Sequence, residues 1–167
     1  MLRFVHTLLG ILNVLNWVVG ALFLVLFAFV MLEPSILSGQ LEAEFTPSQV
    51  EALMTWLVIS SVVMIVVIPL AHITFTRLRR MIRDAEAGEV FSGRSVAALR
   101  ITAFAMFGIS AADLVFGLAS VRVSEQTGEY IGWSPSLSIW LVSGLLLVLA
   151  RIFADGIAMR EDLEGTV

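Results

Sequence analysis

The chain has 167 residues, 59% of them hydrophobic and 14% charged, with a formal net charge of −4 and a mean hydropathy of +0.97. A soluble domain of this size needs more charge to cover its surface, so the composition excludes that class and points to a membrane protein. The lack of cysteine excludes disulfides, thiolate metal sites and cysteine nucleophiles, and His6 and His72 lie too far apart to suggest a metal cluster.

Four stretches are long enough to cross a bilayer, near residues 8–32, 52–76, 101–121 and 136–157. The first is interrupted only by Asn13 and Asn16 and is too long for a signal-peptide core, so it reads as an uncleaved span. His6, Gly10, Asn13, Trp17 and Gly20 form a stripe along it, the pattern of close helix packing. Thr46-Pro47-Ser48-Gln49 opens the second span with a capping threonine, a proline at the first helical position and a glutamine three residues after the cap. Ser134-Pro135 repeats the entry before the fourth span. Trp56, Tyr130 and Trp133 fall near a boundary, where amphipathic rings anchor at headgroups, whereas Trp17 and Trp140 sit deeper, as packing residues. Continuous apolar runs of this length exclude a barrel's alternation. The expected fold is all-α: one integral-membrane four-helix transmembrane bundle covering residues 1–167 as a single domain.

Arginine placement orients it. All ten basic residues are arginine, and nine of them (Arg3, Arg77, Arg79, Arg80, Arg83, Arg94, Arg100, Arg151 and Arg160) fall on one side of the spans. The other side holds Arg122 together with Glu33, Glu42, Glu44, Glu51, Glu125 and Glu129. Because arginine marks cytoplasmic segments, both termini and the central loop are expected in the cytoplasm.

The segment TRLRRMIRDAEAG carries Leu78, Met81, Ile82 and Ala85 at helical spacing, so the second helix is expected to continue beyond the membrane against the headgroups. Gly88 stops it, Phe91 packs back, and Ser92 or Ser95 caps the next helix. The stretch AGEVFSGRSVAALRI resembles the signature of a bacterial family of small four-span membrane proteins catalogued as a domain of unknown function. That signature runs Gly-acid-Pro-Phe, then an asparagine and an Arg-Leu-Arg run. Gly88, Glu89, Phe91, Leu99 and Arg100 match it, while Val90 stands for the proline, Ser95 for the asparagine and Ala97 and Ala98 for basic residues. The ending RIFADGIAMREDLEGTV is similar to the family's usual C-terminus. The resemblance implies a protein often encoded beside a small helix-turn-helix regulator of the Cro/C1 type, and it supplies no catalytic residues.

Asp113 is the one acid deep within a span, and an intramembrane ionisable residue is a functional-site hypothesis by default. Depth counting places Asn16, Ser60, Ser61 and Ser143 near its level, and Ser110 shares its helix face. The expectation is a midplane polar layer in which Asn16 and the serines donate hydrogen bonds to Asp113. Its role stays open between a proton or cation site and interhelical glue. Arg151 and Asp155 can pair at i, i+4.

No phosphate loop, nucleophile elbow or paired-histidine motif is present, so no enzyme, cofactor or metal is expected. The arginines lack interleaved aromatics, which favours lipid headgroups over nucleic acid. The leading reading is a bacterial inner-membrane interaction or regulatory protein, with oligomerisation open. It would engage membrane lipid and a cytoplasmic regulator through Arg77, Arg79, Arg80, Arg83, Gly88, Glu89, Phe91, Arg94 and Arg100, with Arg160, Glu161 and Asp162 of the tail. An accessory subunit of a larger membrane complex and a small transporter using Asp113 are the alternatives.

Overall fold

A computed structural model describes residues 2–88 and 92–164, and the side chains of 3–88 and 92–160. Glu89, Val90 and Phe91 lie outside the described residues, as do the side chains of Glu161 and Asp162. The described residues form five helices and no strand: α1 (Leu2–Leu32), α2 (Pro34–Leu41), α3 (Pro47–Glu86), α4 (Gly93–Thr127) and α5 (Leu137–Glu164). All but α2 are long and apolar enough to cross a membrane. With 40 residues α3 is about 60 Å long, twice a hydrocarbon core, so its arginine-bearing end continues as helix past any span.

The boundaries follow local chemistry. Pro47 opens α3, and Gln49 reaches back so that the Thr46 N–H donates to its Oε1 at 2.9 Å, half of a capping box. Gly88, at φ +81°, takes the left-handed conformation that ends α3. Ser92, not Ser95, caps α4: the Ser95 N–H donates to Ser92 Oγ at 3.3 Å. The fourth long helix begins at Leu137, two residues past Pro135. Pro34 at the first position starts α2 directly after α1, in a segment the sequence presents only as a loop.

The chain divides into two compact units. The first comprises residues 1–16, 69–110 and 136–167. Its core is Val96, Leu99 and Ala150, packed by Met81, Leu146, Leu149, Phe153, Ala154 and Ile157. Phe107 and Trp140 meet edge-on at 5.7 Å, so Trp140 does pack. Gly108 lets α4 approach Leu70 of α3 so closely that an added Cβ would lie 2.8 Å from its Cδ1.

The second unit comprises residues 17–68 and 111–135. Here Gly20 of α1 faces Ile68 of α3, with an added Cβ again 2.8 Å from the side chain. Trp56 packs on Phe116 at 6.0 Å and donates from Nε1 to Ser120 Oγ at 3.0 Å. Gln49 donates from Nε2 to the carbonyls of Gln126 and Thr127, tying the start of α3 to the end of α4. Most of α1 is exposed along its length, including Leu22, Val25 and Trp17, as a lipid-facing helix would be.

Candidate functional site

Two places collect the polar side chains. The first is the arginine-rich end of the first unit, and charge is sharply segregated: the first unit holds nine arginines and seven acids, the second one arginine and seven acids. Arg77, Arg79, Arg80 and Arg83 ride the last turns of α3, Arg94 and Arg100 the first turns of α4, and Arg151 and Arg160 lie on α5. The three helices are held there by the Val96, Leu99 and Ala150 core, in which Leu99 is 2% exposed. Arg80, Arg83, Arg94, Arg100, Arg151 and Arg160 are exposed, so their charge faces outward from a packed support. Arg151 pairs with Asp155, Nε to Oδ1 at 3.1 Å, as the i, i+4 spacing predicts.

Arg79 departs from this pattern. Its guanidinium lies over Gly10 of α1, where an added Cβ would come 3.3 Å from Cζ, and its Nε is buried without a hydrogen-bond partner. It belongs to the α1–α3 packing rather than to the solvent face, because Gly10 leaves the notch it fills. Alongside, Nδ1 of His72 donates to Oδ1 of Asn13 at 2.8 Å, and Thr76 Oγ1 donates to the His72 carbonyl at 2.8 Å. Thr102, fully buried on α4, has no partner for Oγ1. The sequence places Gly10 and Asn13 on one stripe of α1. What it does not disclose is that Arg79 and His72 stand opposite them, since pairing across 59 residues leaves no local trace.

The second place is Asp113, and the buried serines expected around it are each satisfied within their own helices. Ser60, Ser61, Ser110 and Ser143 are buried, but each hydroxyl donates its one hydrogen to the carbonyl four residues back: Trp56, Leu57, Met106 and Ile139. A serine inside a helix reaches that carbonyl without moving, and the bond satisfies the hydroxyl without any interhelical partner. Asn16 is half-buried on α1. Within its own unit the donor to Asp113 is Trp133, whose Nε1 lies 3.4 Å from Oδ1. The segment after Gly128 (φ +77°) folds back along α4, with the Ile131 N–H donating to Ser124 Oγ at 2.9 Å. The Trp133 ring lies on the bare backbone of Gly117, where any Cβ would coincide with it. Trp133 and Trp56 therefore turn toward α4, while Tyr130 is 87% exposed. Gly117, one turn beyond Asp113 on the same face, is the signal that a ring could be seated there.

Among the described residues no three His, Asp or Glu side chains are grouped to hold a metal ion. The helical chain with its four long apolar helices defines a multi-pass helical membrane protein. Residues 38–167 match the family described as protein of unknown function (DUF2975), and the chain belongs to that family. The match takes in both the 87–101 stretch and the C-terminal ending and leaves α1 before it. No curated protein and no solved structure matches the chain.

Proposed function

We propose that the protein is a non-enzymatic anchor of a bacterial inner membrane, with both termini in the cytoplasm, whose arginine-bearing helix ends engage a soluble regulatory partner and anionic headgroups. The observation that carries this reading is the packed core of Val96, Leu99 and Ala150 beneath the exposed Arg80, Arg83 and Arg94. A cationic surface held on three packed helices is pre-organised, so a partner binding there need not order it first. Arginine suits such a surface because its planar fork meets carboxylates and phosphates through two parallel bonds. The concentration of arginine in one unit is the pattern that a cytoplasmic face produces.

Mild-detergent purification from the native host, followed by mass spectrometry, tests this reading. A soluble protein is expected with the wild-type chain and is expected to be lost from Arg80→Glu/Arg83→Glu/Arg94→Glu. Retention of the same soluble protein by the triple variant overturns the assignment. Because the chain lacks cysteine, orientation is testable in an unmodified background. Ala87→Cys should react with a membrane-impermeant maleimide only in inverted vesicles, and Glu129→Cys only in intact spheroplasts. The accessory-subunit reading is the alternative, in which the exposed apolar side chains of α1, such as Leu22 and Val25, meet a membrane-embedded partner in place of lipid. A membrane protein that co-purifies irrespective of the arginine reversals would select that reading.

A further inference from the structure

In the second unit α2 roofs the space beside α1 and α3 and leaves a cavity of about 450 Å³. Its walls include Phe23, Phe27 and Val30 of α1, Leu37 of α2 and Leu57 of α3. Only two polar side chains line it. Ser61 is satisfied within its own helix by the Leu57 carbonyl, so it offers no hydrogen to a guest, and Gln40 is exposed. The volume lies within the range of small-molecule sites, and several of its lining side chains are exposed, so it is open to its surroundings.

We infer that this cavity is a binding site for an acyl chain of a phospholipid whose headgroup carries an ammonium group. Three observations select that occupant. The α1 wall belongs to a helix whose outer face is exposed apolar surface, so the medium at the cavity is lipid chain and not water. Glu33 immediately precedes α2, and Glu42 and Glu44 immediately follow it, all exposed, whereas the unit's one arginine, Arg122, lies on α4 and lines no wall of the cavity. An anionic headgroup is repelled there and an ammonium attracted, each charge being worth at most about fivefold in affinity and less with distance. The Gln40 amide adds a donor and an acceptor for an ester carbonyl or an amine at the same lip.

The test is native mass spectrometry of the full-length protein in detergent, titrated with phosphatidylethanolamine and, separately, with phosphatidylglycerol of the same acyl chains. The expected result is one retained phosphatidylethanolamine, favoured over phosphatidylglycerol by on the order of tenfold. Ser61→Leu fills the cavity from α3. Ile36→Trp fills it from α2, whose residues are not buried and tolerate change. Both should abolish retention, while Leu22→Trp, on exposed α1 surface, should not. Glu33→Gln/Glu42→Gln/Glu44→Gln, which removes all three acids, should keep one lipid but bring the two headgroups within about twofold. Retention unaffected by a correctly folded Ile36→Trp variant overturns the site. Equal binding of the two lipids by the wild type overturns the headgroup assignment.

Discussion

The Trp133–Asp113 contact predicts a measurable coupling. Hydrogen bonds within membrane proteins average about 0.6 kcal/mol in double-mutant cycles, with a maximum near 1.7. The indole-to-carboxyl separation of 3.4 Å is longer than the usual 2.7–3.2 Å, so the coupling should not exceed the average of about 0.6 kcal/mol. Trp133→Phe removes the donor and Asp113→Ala the acceptor, and each also disturbs packing around Gly117. The cycle built from wild type, both single variants and the double variant cancels those packing losses and isolates the bond. Unfolding driven by increasing sodium dodecyl sulfate in mixed micelles, followed by circular dichroism, gives the four stabilities. Asp113→Asn, which keeps an oxygen acceptor, should lose less than Asp113→Ala. If the single losses add to the double loss within about 0.3 kcal/mol, the two side chains are not bonded.

Gly117→Ala should eject the Trp133 ring; with Trp17, Trp56 and Trp140 replaced by Phe, acrylamide quenching of the remaining indole should rise, and unchanged quenching would contradict the seat. Leu99→Ala should destabilise by about 3 kcal/mol because Leu99 sits in the first unit's core, while Leu141→Ala, 74% exposed, should stay within about 0.5 kcal/mol on the same unfolding assay. Asp155→Asn should change stability by less than about 0.5 kcal/mol, since the side chains of the Arg151–Asp155 pair are 75% and 55% exposed; a larger loss would mean the pair is shielded from solvent.

Helix identity was legible because the apolar runs are long and their terminators are local. Gly88 and the Thr46-Pro47-Ser48-Gln49 entry act through residues within one turn, and the structure places both at helix ends. The eight residues of α2 were not, because so short a segment carries too little periodicity to separate helix from loop. Side-chain destinations were legible only where one helix decides them. The stripe holding Gly10, Asn13 and Gly20 marks a packing face of α1, but nothing near Arg79 or His72 says that they meet it. Hydropathy likewise places Trp133 near a boundary. Its actual seat depends on a bare Gly117 sixteen positions earlier, a relation that only the folded-back segment creates. The serines show a further limit: a hydroxyl inside a helix already has an acceptor four residues back, so depth counting does not reveal where its hydrogen goes.

The Asn13–His72 bond has a consequence for biosynthesis. Asn13 is half-buried on α1, and its hydrogen-bond donor is encoded 59 residues later. At roughly 5–20 residues per second, α1 waits about 3–12 s after Asn13 is made before His72 leaves the ribosome. During that interval the Asn13 amide has only solvent, headgroup or insertion-machinery partners, and the α1–α3 contact can close only once His72 has been made.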